Sequence, residues 1–246
     1  MAAFKTHLSV SCLASGLTAT GLLLTGMGSP PKVFLYFMMG IIGGILPDID
    51  ADNSVPIRLA FDFLAPVIAF PVIFSQSAGR SVAELLLIWL AAFFTVKYFV
   101  FYLFIHLTAH RGIIHSVPAG VFSWLLTTIL LHRIFLFSNF AAWMGGFFVF
   151  LGFIIHLILD ELNSFDLSEM RVKKSLGTAL KLGSFKDPVA TSLIYLAIIG
   201  LFLLSPNAES FFTAMLDKNH YLDIPFLPRE HWFQELHRGF AEWISK

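Results

Sequence analysis

Apolar residues fall in long, nearly unbroken runs along this chain, and polar or turn-forming residues collect between them. Runs of roughly 20 apolar residues match the ~30 Å hydrocarbon core that one α-helix must cross. On this pattern, spans are predicted near 8 to 26, 33 to 46, 57 to 74, 82 to 107, 116 to 137, 141 to 162 and 188 to 204. The second run is short and carries Gly40, Gly43 and Gly44, while the third contains Asp62, Pro66 and Pro71, so either is a candidate re-entrant or broken helix. The expected fold is all-α: a polytopic α-helical membrane protein of six to seven spans. Residues 1 to 204 form the helical membrane domain. The remainder, 205 to 246, places Trp232, Phe233, Phe240 and Trp243 among charges and reads as an interfacial helix or a small soluble cap.

Composition excludes an ordinary soluble domain. Hydrophobic residues make up 57% of the chain and charged residues 13%, where soluble domains carry about 25% charge. The mean hydropathy of +0.78 agrees. A formal net charge of +0 gives no footprint for a nucleic-acid partner, and a single cysteine, Cys12, excludes an internal disulfide framework. Lys5 ahead of the first apolar run also fits a signal peptide. That run holds Ser and Thr throughout and lacks a clear small-residue cleavage site, so it is read as a retained first span.

Charge in the loops assigns the sides. If the spans alternate, the N-terminus, the 47 to 56 loop, the 108 to 115 turn and the 163 to 187 loop share one face, with Lys5, Arg58, Arg111, Arg171, Lys173, Lys174, Lys181 and Lys186. Short loops on the other face hold only Lys32, Arg80 and Arg133. The positive-inside rule makes the first face cytoplasmic, as in a multi-pass protein of a bacterial-type inner membrane, and sends the tail to the opposite compartment.

Residues with metal-ligand chemistry gather at the span ends on that cytoplasmic face. Ionisable groups beside hydrocarbon are costly, which makes them functional candidates. His156 and Asp160 are four apart on a predicted helix and leave one face a turn apart, suited either to a shared metal or to a hydrogen-bonded pair that tightens the bundle. Asp48, Asp50 and Asp52 alternate after Pro47 and repel one another unless a cation or an arginine offsets their charge. The competing account is a capping turn, with Asp52, Asn53 or Ser54 closing the helix that starts near Pro56; Arg58, one turn on, could balance charge or grip an anion. His110 and His115 flank Gly112, where a break would let both imidazoles face one centre, and Ser116-Val-Pro118 fits a helix start. Lipid phosphates meeting His110, Arg111 and His115 are the alternative for that turn. His106 is read as interfacial, and Asp62 with Lys97 as a deeper pair outside the site. Together with His7, these donors reach one depth on one side only if the helices bundle. Mixed imidazole and carboxylate donors suit Zn²⁺, Mn²⁺ or Fe, and more than four of them suggest room for two ions.

At these residues the chain resembles the YdjM-like family of inner-membrane proteins, identified as metal-dependent hydrolases. The pattern is an early His (His7), a Leu-Pro-Asp-Ile-Asp loop (Leu46 to Asp50) followed by Ser54 and Arg58, a His-Arg-Gly-x-x-His-Ser turn (His110 to Ser116), and a late His-x-x-x-Asp (His156, Asp160). The resemblance covers roughly residues 1 to 165. It departs where family members carry Thr and Gly after the late motif and this chain has Glu161-Leu-Asn163-Ser164, a change at the rim of the pocket. The order of His and Asp donors is also similar, more loosely, to that of zinc-dependent phospholipases C. The resemblance implies a hydrolase with His7, Asp48, Asp50, His110, His115, His156 and Asp160 as ligands to one or two divalent ions, zinc foremost. Arg111 and Arg58 are read as stabilisers of phosphoryl charge, and the place of the site at the membrane surface points to a phosphoester of a lipid or another membrane-associated molecule as substrate. A metal- or proton-coupled transporter, for which Asp62 and Lys97 would be the path, and a membrane protein with a structural metal are the competing classes.

Overall fold

The computed structural model describes residues 4–50, 55–75, 79–102, 115–163, 165–166, 171–172, 180–183, 187–222 and 224. In hydrocarbon a backbone must satisfy its own hydrogen bonds, and the chain does so as helices. These are α1 (Phe4–Leu24), α2 (Pro30–Ile45), α3 (Val55–Ser75), α4 (Val82–Phe94), α5 (Val117–Arg133), α6 (Asn139–Leu162), α7 (Pro188–Leu204), α8 (Glu209–Leu216) and α9 (Asn219–Leu222). A 3-10 turn, Leu46–Asp50, prolongs α2, and a π-helical turn, Thr95–Val100, prolongs α4. A two-residue antiparallel pair, Phe165–Asp166 with Arg171–Val172, follows α6.

Helix starts follow local chemistry. Ser81 and Glu84 form a reciprocal capping box on α4. Ser116 accepts from Ala119 N at 3.4 Å, with Pro118 in the first turn, so α5 begins where Ser116-Val-Pro118 predicts. Asp187 accepts from Ala190 N at 2.9 Å to start α7. The helices coincide with the predicted apolar runs, but fewer of them are full spans. Among the described residues, four helical stretches are long and apolar enough to cross a membrane: Lys5–Leu24, Pro30–Asp48, Val82–Val100 and Asn139–Leu162. The pair α7 and α8, bent by 95°, raises that to five at most, against the six to seven expected. The expected count is therefore not confirmed: α5 ends at Arg133, and the side chains of α3 and the predicted end of the fourth span lie partly outside the described residues.

Helix α6 is the axis of the bundle and packs against α2, α5 and α1. The glycines of α2 do not break it, contrary to one sequence expectation. They let it touch α6: a Cβ on Gly43 would run into the Val149 carbonyl, and one on Gly152 into the Gly40 carbonyl. On the other side of α2, Ser11 and Ser15 of α1 occupy the space above Gly44 and Gly40. Tyr36, Phe148 and Met144 are almost wholly buried in the resulting core. Beyond Leu204, α8 folds across the Trp143 end of α6. There Phe211 packs on Trp124, Trp143 and Phe147, and Trp143 Nε1 donates to Pro206 O at 3.0 Å. Residues 205 to 222 carry α8 and α9, and 223 and 225 to 246 lie outside the described residues. Helices α3 and α4 form a separate hairpin, in which Lys97 Nζ meets Asp62 Oδ1 at 2.9 Å.

Candidate metal centre

Antiparallel packing of α1, α2, α5 and α6 brings the start of α1, the end of α2, the start of α5 and the end of α6 to one end of the bundle. His7, Asp48, His115, His156 and Asp160 stand at those four ends and meet there. His156 Nε2 lies 3.5 Å from both Asp48 Oδ1 and Asp160 Oδ2, His7 Nε2 lies 3.4 Å from Asp160 Oδ1, and His115 Nε2 lies 3.9 Å from Asp160 Oδ2. The His7 and His156 rings stack with centroids 3.7 Å apart and planes 13° apart, while His115 meets His156 edge-on at 5.8 Å. His156 is 0% exposed and His7 1%. Asp160 is 8% exposed and Asp48 25%, so the cluster opens toward Asp48.

The hydrogen bonds select the ligand atoms. His156 Nδ1 sits 2.8 Å from Gly44 O, an acceptor only, so Nδ1 carries the proton and donates it. The neutral ring then presents a lone pair at Nε2 to two carboxylates, which are themselves acceptors. His7 Nε2, His115 Nε2 and His156 Nε2 are all buried with no hydrogen-bond partner among the described residues. Three adjacent imidazoles cannot all take up protons to resolve this, because like charges this close disfavour one another. A cation resolves it for every donor at once. Two donor sets have ligand atoms within 4.8 Å of one another, His7 with His156 and Asp160, and Asp48 with His115 and His156. The residues thus fit one ion held by a selection of these atoms, or two ions sharing the His156 side of the cluster. For His115, burial chiefly, and His156 next, hold its pKa below 6.5, which keeps its ring neutral and available as a ligand.

Not every candidate is accounted for. Asp50 ends the 3-10 turn and Arg58 lies in the first turn of α3, but their side chains, and the whole of His106, His110 and Arg111, lie outside the described residues. The capping alternative for residues 52 to 54 falls there too. Two partners were not singled out from sequence. The Gly44 carbonyl orients His156, and nothing in a glycine marks its carbonyl as an acceptor. Lys181 counted only as one of several basic loop residues, yet its charge lies near His115.

No curated protein and no solved structure matches the chain, and the likeness in donor order to zinc-dependent phospholipases C is not shown. The family model described as YdjM inner membrane protein matches residues 1–216, beyond the 1 to 165 over which its motifs were legible, and the chain belongs to that family of multi-pass membrane proteins.

Proposed function

We propose that the protein is a metal-dependent hydrolase embedded in the inner membrane, acting on a phosphoester of a lipid or another membrane-associated molecule at the cytoplasmic surface. The observation that carries this reading is the set of three buried imidazole nitrogens without hydrogen-bond partners among the described residues, facing two carboxylates at one end of the bundle. His7, Asp48, His115, His156 and Asp160 would hold the ion, with zinc the best match to mixed nitrogen and oxygen donors. When bound, such an ion polarises a phosphoryl oxygen and lowers the pKa of a coordinated water to about 7.

The chain's own residues supply the rest. The Gly44 carbonyl fixes the tautomer and orientation of His156, as an outer partner of a ligating histidine does. His7 stacks on His156, and both rings are buried, so solvent does not reach that face of the site. Asp48 lies on the exposed side, where a substrate arriving along the membrane surface would enter. Arg111 and Arg58 belong to the reading as stabilisers of developing phosphoryl charge.

A transporter would favour ionisable residues strung along a path through the bundle. Asp62 and Lys97 instead pair with each other on the α3–α4 hairpin, which weighs toward the hydrolase. A structural metal would leave no open position, whereas five donors here surround the cluster with Asp48 partly exposed. The test is a phosphoester panel assayed with protein in nanodiscs, before and after chelation. Turnover that disappears with chelator and returns with zinc supports the proposal; metal-loaded protein with no turnover on any phosphoester refutes it.

A further inference from the structure

Beside the donor cluster stands a lysine, Lys181, with no counter-charge among the described residues. Lys181 lies in the short stretch 180–183, which is fixed in place at three points. Val117 N donates to Lys181 O at 3.1 Å, Tyr195 Oη donates to Leu182 O at 2.8 Å, and Gly183 lies so close to Thr191 that a Cβ would come within 2.8 Å of its Cγ2. Val117 opens α5 two residues after His115, so the stretch is tied to the helix start that supplies one of the donors. Lys181 is partly buried at the start of α5, two residues along from His115 through its bond to Val117. No ion pair involving Lys181 is found among the described residues.

An ammonium drawn partly out of water without a carboxylate is a cost that the fold leaves open, and burial accordingly holds its pKa below the ordinary lysine value. Among the described residues, Asp48 and Asp160 face the imidazoles, and their two negative charges match one divalent ion. With that ion bound, these two carboxylates are neutralised and Lys181 remains positive beside the start of α5. A lysine in such a place is suited, as a point charge, to an anionic phosphate oxygen.

We propose that Lys181 is the substrate-anchoring residue of this site, holding an anionic phosphoryl oxygen beside His115. The proposal rests on the hydrolase reading and narrows it: the substrate is an anionic phosphoester, and a neutral ester or amide is not recognised. A phosphorylated lipid headgroup and a soluble phosphate share this chemistry, so both are used as probes.

The experiment measures binding of inorganic phosphate and of short-chain phosphatidic acid to purified full-length protein loaded with zinc, alongside metal content by mass spectrometry. Wild-type protein, Lys181→Gln and Lys181→Arg are compared. Loss of a charged hydrogen bond predicts affinity for the anionic probes about 10- to 100-fold lower in Lys181→Gln. Lys181→Arg, which keeps the charge, retains binding, and all three proteins hold the same metal. Tighter binding of phosphatidic acid than of phosphate assigns the site to a lipid headgroup, and equal binding assigns it to the phosphate group itself; both support the anchor. Unchanged affinity in Lys181→Gln, equal loss in Lys181→Arg, or no binding of either probe to wild type overturns it. Loss of metal in Lys181→Gln also overturns it, since Lys181 would then serve the donors rather than an anion. Failure of the hydrolase reading looks different: wild-type protein would hold no metal, or would hold it and turn over no phosphoester, whatever its affinity for phosphate.

Discussion

Replacing Gly43 by alanine tests whether helix contact, and not ligand identity alone, builds the donor cluster. The new Cβ would meet three backbone atoms of Val149, of which C and Cα lie at 2.8 Å, where ordinary contact begins at 3.4 Å. No side-chain rotation relieves a clash with backbone, so α2 and α6 must part by at least about 0.6 Å. Ligand distances in a metal site tolerate only about ±0.2 Å. Asp48 follows α2 in its 3-10 turn while His156 and Asp160 ride on α6, so the separation acts directly on the cluster and on the His156–Gly44 hydrogen bond. Overpacking of this kind costs on the order of 1–3 kcal/mol of stability, and misplacing ligands and their outer partners costs about 10- to 100-fold in metal affinity. Competition with a chromophoric chelator, together with thermal unfolding in detergent, reads both effects. Gly21→Ala is the control, because a Cβ there meets nothing within 4 Å and alanine is the better helix former. Wild-type metal affinity in Gly43→Ala would refute the reasoning.

Further outcomes follow from the same geometry. Metal-free protein is expected to lose stability as pH falls below 6.5, because His115 is held neutral in the fold and the unfolded chain takes up the proton first. Its contribution is complete above 6.5 and is lost as pH falls through the lower folded value, so Lys or carboxylate titration aside, His115→Gln should flatten the melting temperature against pH between 7 and 5. Added zinc should stabilise the protein by about 2.7 kcal/mol at a concentration 100 times its Kd, seen as a rise in melting temperature that chelator reverses; no rise would count against the ligand set. Substituting Asp62 or Lys97 singly should destabilise the α3–α4 hairpin more than replacing both by apolar residues, since each single change strands a charge in the membrane. Metal content should stay at the wild-type level in all three, and its loss would tie the hairpin pair to the site.

The sequence announced this cluster through its expense. His7, Asp48, His156 and Asp160 are ionisable groups at the ends of apolar runs, and their periodicity placed them on helices whose alternation brings them to one end. His115 was legible because Gly112 and Ser116 mark a turn and a helix start. The glycines of α2 were open to the wrong reading, since a glycine-rich run signals a weak helix just as well as a close contact, and only the packing partner Val149 distinguishes the two. Lys181 was hidden for a similar reason. Its role depends on a loop returning to Val117, a contact between residues 64 apart in sequence that no local pattern encodes.

Metal content of protein purified without added metal, compared between wild type, His156→Ala and Asp160→Asn, bears most directly on the central claim. Mass spectrometry should find one or two equivalents of a transition metal, chiefly zinc, in the wild type, and far less than one in both variants while they remain folded and monodisperse. A wild-type protein free of transition metal, or variants that retain its full complement, would contradict it.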